Sequence, residues 1–517
     1  MGVVVTIAFD AAAEASGEAR HTLDMAVRLA ARLYPRIRIL PLHGDPSLAA
    51  ALAALAVSIN PAITLEGSAE GARELALVVG ATRHAAETVV YAGSDGWIAR
   101  VSATRPVESG TGGNPFGAGA AACIGMANIF RAVFADRLPH TGLDLDTSLS
   151  LLNFETGASA STVSLANCVD IGEVRLVGVG AVGNAAVWSL TRVPGLAGTL
   201  HAIDHETVDL SNMQRYVLTS MADDGAVKVS LARREAAGTE LDVVPSRATW
   251  AEHVAASGGG GGLVAVALDS ARDRVEVQGS LPRRLVNAWT QNGDLGVSRH
   301  GFDGDQACLA CMYLPQGRRR SLDEVIAGEL GLDHATHRMR LRDMLVHGQP
   351  VGEDFAREIA AAAGVDPGSL TPFAAQPLRA FRQRAVCGGI VMRAIDGGGA
   401  DVEVPLAFQS ALAGVMLAAE VVAEAAGLRD VRPPTRSVVD LLRPLTPRPS
   451  SNVLKGTSPA ARCICEDSDW QDAYRAKWSA PAETASDGGR DNAGPGGPPN
   501  SVRYRMRHVD RGEMPSG

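Results

Sequence analysis

Hydrophobic positions in the first 165 residues follow two periods in alternation. VVVTIAFD, LALVVGA and ETVVYAG are short apolar runs, which predict buried strands. TLDMAVRLAARLY carries its apolar residues on one helical face, and GAGAAACIGMANIFRAVF is a small-residue helix able to pack closely. The alternation predicts an α/β domain over 1–165. Because its nearest approach to a phosphate-binding loop is the lone Gly80, we expect this domain to bind no nucleotide of its own.

A second α/β pattern begins near residue 173 with EVRLVGVGAVGNAAVWSLTRV. Strands follow at GTLHAID, LDVVPS, GLVAVALD and RRLVNAW, and the helix VPLAFQSALAGVMLAAEVVAEAAG closes the unit. This pattern predicts a domain over 166–450 with an Arg-rich, mostly helical insertion at 316–384. A short segment at 451–470 follows. The Gly, Pro, Asp and Ser content of 471–517 predicts a disordered tail. No fixed-period repeat relates the two halves.

Composition excludes several classes of protein. Of 517 residues, 46% are hydrophobic and 20% are charged, which is ordinary for a soluble globular protein. No apolar run reaches the roughly 20 residues of a membrane span. A net charge of -9 argues against nucleic-acid binding. The odd count of seven cysteines does not suggest a secreted disulfide framework, so we expect a cytoplasmic protein with free thiols.

A glycine-rich turn joins the first strand of the second domain to its helix. Gly178 and Gly180 allow a tight turn close to a phosphate, and Gly183 allows the helix to pack on the strand. Phosphate oxygens would lie at the positive end of that helix. Asp204 ends the next strand, where an acid can bind a ribose. These features alone suit an NAD-dependent oxidoreductase equally well.

The stretch HAIDHETVDLSNMQRYV distinguishes a site for a dinucleotide from a site for a nucleoside triphosphate. A dinucleotide enzyme has no need for Asn212, Gln214 and Arg215 beside its ribose acid, whereas a triphosphate needs cations near its β- and γ-oxygens. Lys228 is the only lysine before Lys455 in a chain that otherwise uses arginine. It is either a phosphate ligand or a surface residue of an amphipathic segment.

Magnesium requires a carboxylate, and Asp269 follows a buried strand in VAVALDSARDR. Ligands of open α/β sheets bind at this carboxyl edge. The alternative role for such a residue is that of a helix N-cap. Together with the preceding residues, the position favours the metal role.

In order, these motifs resemble those of the ubiquitin-activating enzyme superfamily, which includes the ThiF/MoeB/HesA-type adenylyltransferases. The shared pattern is a glycine loop, DxDxVxxSNLxRQ, a lysine thirteen residues after the arginine and a strand-end aspartate. It reads here as Gly178 to Gly183, Asp204 to Arg215, Lys228 and Asp269. Its departures here include Glu206 as the second acid and Tyr216 in place of the final glutamine.

The resemblance implies a Rossmann-like ThiF adenylation fold that binds ATP and Mg²⁺. Asp204 would bind the ribose, with Glu206 and the loop glycines also lining the nucleotide. Asn212, Arg215 and Lys228 would bind phosphates, and Asp269 would bind magnesium. The implied reaction is attack of a protein's C-terminal carboxylate on the α-phosphate, which gives an acyl-adenylate and pyrophosphate.

The cysteines extend the resemblance. Cys308 and Cys311 have the spacing of half a zinc knuckle and lie where the family places it. The second half would be Cys463 and Cys465, one residue closer than usual, so three ligands or a redox pair are the alternatives to a Zn²⁺ tetrathiolate.

Cys387 precedes the closing helix at the position of the family's thioester-forming cysteine. Its alternative role is that of a buried structural residue. Cys123 and Cys168 are expected in the core.

The expected partner is a ubiquitin-like or sulfur-carrier protein with a C-terminal glycine, and a downstream conjugating protein could follow. Superfamily members work as homodimers or as fused pseudo-dimers with one inactive half. The resemblance implies the fused arrangement here. The alternatives are a sulfur-carrier adenylyltransferase without a thioester, an enzyme that adenylates a small peptide, an oxidoreductase and a non-catalytic scaffold.

Overall fold

The computed structural model describes most of the chain up to Ser479. The described ranges are 2–43, 46–165, 168–259, 261–291, 294–315, 321–382, 406–446, 450–456, 458 and 461–479. Cys387 lies outside these residues.

Seven strands form the first sheet. They are β1 (Val3–Asp10), β2 (Arg36–His43), β3 (Thr64–Leu65), β4 (Arg73–Val79), β5 (Thr88–Asp95), β6 (Ile98–Ser102) and β7 (Thr147–Ser150). Their spatial order is β3-β2-β1-β4-β5-β6-β7, parallel as far as β5 and antiparallel beyond it. The helices of this half are α1 (Ala11–Ala15), α2 (Gly17–Leu33), α3 (Pro46–Ile59) and α4 (Pro115–Val133).

Seven further strands form the second sheet. They are β8 (Val169–Val177), β9 (Leu196–Ile203), β10 (Leu241–Ser246), β11 (Leu263–Val266), β12 (Arg284–Gln291), β13 (Asp294–His300) and β14 (Arg436–Val439). Helices α5 (Ala181–Leu190), α6 (Lys228–Glu235), α7 (Trp250–Ser257) and α8 (Ala271–Gly279) connect its strands. Helix α14 (Ala407–Ala425) lies between β13 and β14 in sequence.

The two sheets share one topology. The second has the order β10-β9-β8-β11-β12-β13-β14, which repeats the first strand for strand, including the change to antiparallel pairing after the fifth strand of the order. This result confirms the predicted Rossmann-like fold of two α/β halves. A shared topology without a sequence repeat is expected where packing preserves only the hydrophobic pattern.

One hydrophobic core joins the halves. A single cluster contains buried residues from the first strand, Val5, through Leu441, and helices α4 and α14 pack against each other within it. Both helices are apolar and long enough to cross a membrane, but most of each is buried inside the protein. Their apolar composition therefore matches a position in the core.

The halves differ most between the sixth strand and the last helix. In the first half, residues 103–114 connect β6 to α4, whereas in the second half residues 301–406 connect β13 to α14. The described part of the longer connection contains five α-helices: α9 (Leu322–Glu329), α10 (His334–His347), α11 (Glu353–Ala363), α12 (Pro367–Leu370) and α13 (Leu378–Arg382). These helices have a hydrophobic cluster of their own, which includes Phe355 and Phe381. The insertion is thus helical, as its sequence predicts.

Helix α15 (Ser468–Ser479) follows the last two cysteines. Its Tyr474 and Trp478 donate hydrogen bonds to the carbonyls of Arg283 and Leu281. The predicted disordered tail is therefore wrong for residues 471–479, because this helix has aromatic residues that pack on the second domain.

Candidate active site

The glycine turn after β8 has the geometry that its sequence predicts. Gly178 has φ +93°, and a Cβ there would lie 2.6 Å from the carbonyl oxygen of Ala267. A Cβ on Gly183 would lie 2.1 Å from the carbonyl oxygen of Gly178. Gly180 is the N-cap of α5 and supplies no side chain to that end of the helix. The backbone N–H groups at the start of α5 are therefore available to an anion.

Asp204 lies at the end of β9 and holds the glycine turn. Its Oδ2 accepts a hydrogen bond from the backbone nitrogen of Val179 at 2.8 Å, and its Oδ1 accepts one from that of Glu206 at 2.9 Å. The side chain is only partly buried. A carboxylate oxygen has two lone pairs, so Asp204 retains acceptor capacity toward a ribose hydroxyl.

Asn212 and Arg215 lie on the turn that follows. Asn212 closes a short 3-10 helix: its Oδ1 accepts from the backbone nitrogen of Asp209 at 3.1 Å, and its amide nitrogen forms no hydrogen bond to a described residue. In the described part of the chain the Arg215 guanidinium forms no hydrogen bond or ion pair, and it lies 6.0 Å from the ring of Tyr216. Gln214 is exposed. Both predicted phosphate ligands on this turn thus have free donors.

Lys228 is a buried residue at the start of α6, with 4% of its surface exposed. The surface alternative is therefore wrong. Its Nζ lies 2.5 Å from Oε2 of Glu206 and 5.3 Å from the ring of Tyr216. Burial disfavours the charge, but the Tyr216 hydroxyl and the carboxylates of Asp204 and Glu206 outweigh it and raise the pKa of Lys228. The lysine is a permanent cation at neutral pH.

Tyr216 contacts the glycine turn, Arg215 and Lys228. In the sequence it stands out only as a departure from the family pattern. Its side chain is buried, and its hydroxyl lies 3.4 Å from the position that a Cβ on Gly180 would occupy. Burial raises the pKa of the phenol, so the hydroxyl is neutral. The side chain of Tyr216 therefore contacts the glycine turn and lies next to both cations, Arg215 and Lys228.

Asp269 lies beyond β11 on the same edge of the sheet. The preceding Leu268 approaches Gly178, whose added Cβ would lie 3.2 Å from the leucine side chain. Asp269 is exposed and has no hydrogen bond or ion pair among the described residues. The N-cap of α8 is Ser270, whose hydroxyl accepts from the backbone nitrogen of Asp273 at 3.1 Å. The N-cap alternative for Asp269 is thus wrong, and its carboxylate is free to bind a cation.

The cysteine pairs come together although they are 152 or more residues apart. Four sulfur–sulfur distances lie between 3.3 and 3.7 Å, and all four sulfurs lie within 4.8 Å of one another: Cys308, Cys311, Cys463 and Cys465. Tetrahedral zinc with bonds of about 2.3 Å requires sulfurs roughly 3.8 Å apart. All four are free thiols and buried. The short spacing of the second pair therefore does not prevent four-fold ligation, and the cluster could hold a metal ion.

Helix α8 connects the cysteine cluster to the residue before Asp269. The side chain of Gln278 accepts from the backbone nitrogen of Leu309, next to Cys308, at 2.8 Å. Arg274 donates to the hydroxyl of Tyr313 at 2.5 Å and to the carbonyl oxygen of Leu268. The cluster thus supports the edge of the sheet that carries the predicted magnesium ligand.

The equivalent position in the first half is filled by a side chain. Asp10 ends β1 and caps α1, with its Oδ1 3.0 Å from the backbone nitrogen of Ala13. Its Oδ2 accepts from the backbone nitrogens of Ala81 and Thr82 at 2.8 and 2.9 Å. A carboxylate of the protein therefore occupies backbone donors at the start of α1 and in the loop after β4.

The remaining cysteines differ in exposure. Cys123 is fully buried in α4, and burial raises the pKa of its thiol. Cys168 is exposed, so its predicted place in the core is wrong: it lies just before β8, whose first residue, Val169, is buried. Cys387, the predicted nucleophile, falls in the segment 383–405 that the structure does not describe.

A Rossmann-like sheet whose glycine turn, buried lysine and strand-end acids meet at the carboxyl edge defines the class of nucleotide-binding α/β proteins. A sequence profile of the ThiF family matches residues 164–440, which is more than half of the chain. The chain belongs to the ThiF family, whose members are adenylyltransferases. A second profile, Prokaryotic E2 family C, matches residues 8–135.

Individual proteins are also similar to this chain. The uncharacterized protein y4jF of Sinorhizobium fredii (strain NBRC 101917 / NGR234) is 47% identical over 487 residues, covering 93% of each chain. A structure of E. coli MccB with AMPCPP and MccA is 14% identical, with a TM-score of 0.34 over 56% of this chain and 65% of that one. A structure of PaaA is 19% identical, with a TM-score of 0.23 over 29% of this chain and 48% of that one. The chain thus spans about two thirds of the MccB chain.

Proposed function

We propose that this protein is an ATP-dependent activating enzyme for a ubiquitin-like protein. It adenylates the C-terminal carboxylate of that protein and then forms a thioester on Cys387. The observation that carries the proposal is the arrangement around Tyr216: free Arg215 and buried Lys228 flank its ring, and its hydroxyl lies against the turn before an uncapped helix. Such an arrangement suits a polyphosphate better than the single pyrophosphate of a dinucleotide.

In the first step a carboxylate oxygen of the carrier protein attacks the α-phosphorus of ATP. The bond from that phosphorus to the bridging oxygen of the β-phosphate breaks, and pyrophosphate leaves. Arg215 and Lys228 neutralise the charge that develops on the departing oxygens. Asp269 would hold Mg²⁺, which would supply further charge neutralisation when bound. Asp204 keeps the ribose in place, with Glu206 and the loop glycines beside it.

In the second step the Cys387 thiolate attacks the acyl carbon of the adenylate. The carbon–oxygen bond to AMP breaks, AMP leaves and a thioester remains. A downstream conjugating protein would then accept the carrier. The sulfur-carrier alternative ends instead with a thiocarboxylate on the carrier and has no enzyme thioester.

The first half of the chain is proposed to be an inactive adenylation-like domain. Asp10 fills its anion position, so we expect one ATP per chain. The match to an E2 profile does not make this half a thioester carrier. A thioester needs an accessible thiolate, and Cys123 is the only cysteine within the matched residues and is fully buried.

The metal, the assembly and the location complete the proposal. The four-cysteine cluster is proposed to bind Zn²⁺ as a structural site, because zinc is the usual ion of such tetrathiolates. The intrachain pair of halves would replace a homodimer. We propose a cytoplasmic location, where thiols stay reduced.

The proposal is tested by ATP–pyrophosphate exchange in the presence of candidate carriers encoded beside the gene. Exchange that depends on a carrier with a free C-terminal glycine is the expected result. Mass spectrometry of the carrier separates the alternatives, because a thiocarboxylate product would indicate sulfur transfer. No exchange with any carrier, together with no binding of ATP, would contradict the proposal.

Asp269→Asn is expected to raise the Mg²⁺ concentration for half-maximal exchange at least about tenfold. The amide keeps the shape of the side chain but removes the charge that magnesium prefers. A magnesium titration of the exchange rate measures the effect. Asp273→Asn, an exposed acid in the first turn of α8, is the matched control and should behave as wild type. Equal titration curves for both variants would assign the metal to another residue.

Cys387→Ala is expected to abolish a carrier adduct that is cleaved by dithiothreitol, while ATP–pyrophosphate exchange continues. The acyl-adenylate forms before the thiol reacts, so only the second step is lost. Non-reducing electrophoresis and mass spectrometry detect the adduct. Cys168→Ala removes an exposed thiol and should leave the adduct intact. Loss of the adduct in the Cys168 variant alone would place the nucleophile there.

A further inference from the structure

Arg32 lies on α2, in the first half of the chain, and its guanidinium contacts the turn that carries Arg215 and Tyr216. Its Nε donates to the carbonyl oxygen of Met213 at 3.0 Å. Its Nη2 donates to the carbonyl oxygens of Tyr216 and Thr219, each at 2.5 Å. One side chain thus binds three carbonyls of a single turn in the other half.

The neighbouring Arg28 strengthens this contact. Its Nη1 donates to the carbonyl oxygen of Val217 at 2.9 Å, and its Nε is paired with Asp24 at 2.9 Å. The Arg32 Nη1 donates in turn to the carbonyl oxygen of Arg28 at 2.7 Å. Burial lowers the pKa of Arg32 to about 9, which leaves it charged at neutral pH. The planar guanidinium suits such fixed, multiple bonds, whereas an ammonium cannot form them in one plane.

The contacts of Arg32 reach the phosphate ligands through Tyr216. The carbonyl of Tyr216 is bound by Arg32, while its ring lies 5.3 Å from Nζ of Lys228 and its hydroxyl faces Gly180. A movement of that carbonyl would move the ring. The Lys228 ammonium lies 5.3 Å and the Arg215 guanidinium 6.0 Å from this ring, so their placement depends on it.

We infer that Arg32 is a positioning residue, through which the first half of the chain sets the geometry of the phosphate-binding turn in the second half. The inference rests on the proposed function, since it requires ATP at this site. We infer that Arg32 acts through the turn, because each of its three guanidinium nitrogens already donates to a carbonyl. The inactive half therefore acts on the active one without supplying a group to the reaction.

Loss of Arg32 is expected to weaken the binding of ATP more than the binding of AMP. Arg215 and Lys228 act on the β- and γ-phosphates, which AMP lacks, so a displaced turn should weaken ATP much more than AMP. A purely structural arginine would weaken both nucleotides equally or neither. The ratio of the two dissociation constants thus separates positioning from stability.

The experiment measures binding of ATP and AMP to the full-length chain by calorimetry, with thermal unfolding alongside. We expect Arg32→Met to raise the Kd for ATP roughly tenfold, which corresponds to about 1.4 kcal/mol, and that for AMP less than twofold. Arg32→Lys should recover part of the loss, because one ammonium can bind some of the carbonyls.

Arg429→Met is the matched control. Arg429 also crosses between the halves, with its Nε 2.6 Å from the carbonyl oxygen of Leu152, but it lies away from the turn. Its partner Glu420 keeps a second arginine, Arg299. The control should lower the Tm while leaving the Kd for ATP unchanged.

Three outcomes overturn the inference: an unchanged Kd for ATP in folded Arg32→Met, an equal weakening of ATP and AMP, or the same weakening in Arg429→Met. Failure of the proposed function looks different, because then wild type would not bind ATP or Lys228→Ala would bind it normally. If Arg32→Met does not fold, the test uses Arg32→Lys and the same ratio of the Kd for ATP to the Kd for AMP. An equal rise of both constants in Arg32→Lys would contradict the inference.

Discussion

Lys228→Ala is expected to lower the rate of ATP–pyrophosphate exchange by about 10²–10³-fold, the usual effect of removing one preorganised donor at a developing charge. The lysine is buried, and its Nζ is held by Glu206 beside the Tyr216 ring. Its removal leaves the departing pyrophosphate with a single flanking cation and places uncompensated carboxylate charge near the phosphates. Exchange of labelled pyrophosphate into ATP measures the loss.

Lys228→Arg tests whether charge alone suffices. The ammonium fits between Glu206 and the ring, and the longer, planar guanidinium does not reproduce that geometry, so activity should stay well below wild type. Lys477→Ala removes another of the three lysines, one whose Nζ donates to the carbonyl oxygen of Ser280, and should retain exchange. Normal exchange in Lys228→Ala would refute the adenylation mechanism.

Because the pKa of Lys228 is raised, it stays protonated from acid to well above neutral pH. The relative change in exchange rate between pH 6 and pH 9 should therefore be equal in the wild-type protein and in Lys228→Arg. A step in that range that disappears in Lys228→Arg would mean that the lysine titrates there, contrary to its surroundings.

Cys311→Ser is expected to lower the bound metal from one ion per chain to almost none and the Tm by about 10 °C or more. Structural zinc contributes several kcal/mol of folding free energy, and roughly 2–4 °C is lost per kcal/mol in domains of 150–250 residues. The cluster also holds α15 and the segment 302–314 through a shared set of buried residues, including Phe302 and Tyr474. Elemental analysis and calorimetry measure the two quantities.

Cys168→Ser, which alters an exposed thiol, is the control for Cys311→Ser and should change neither quantity. Limited proteolysis should cleave the metal-free variant before α15. A wild-type protein that contains no metal and forms a disulfide between two of the four cysteines would support the redox alternative instead.

Local features of the fold were predictable from the sequence. The glycine turn, the strand ends at Asp204 and Asp269, and the apolar helices were visible because each depends on a few consecutive residues. The equality of the two strand orders was not visible. Packing constrains only the hydrophobic pattern, and the chain has no repeated residues to align.

The site was predictable only for the residues that its motif contains. The motif marks Tyr216 only as a departure from the family's glutamine, and its place beside the two cations depends on the fold of the turn. Arg32 gives no signal in the sequence, since it is one more arginine on an amphipathic helix and its carbonyl partners in the second half lie 181 to 187 residues away. The geometry of Asp10 was hidden for a similar reason, because Ala81 and Thr82 belong to a distant loop.

The single core that joins the halves has a consequence for biosynthesis. Helix α4 ends at Val133, and its partner α14 begins only at Ala407. At roughly 5–20 residues per second, a ribosome needs about 14 to 55 s to make the intervening chain. Throughout that interval α4 packs on α2 and the strands of its own half, and the apolar face that it turns toward α14 lacks its partner. We therefore expect the nascent chain to depend on a chaperone, and ribosome profiling of chaperone-bound nascent chains should show engagement from α4 until α14 emerges.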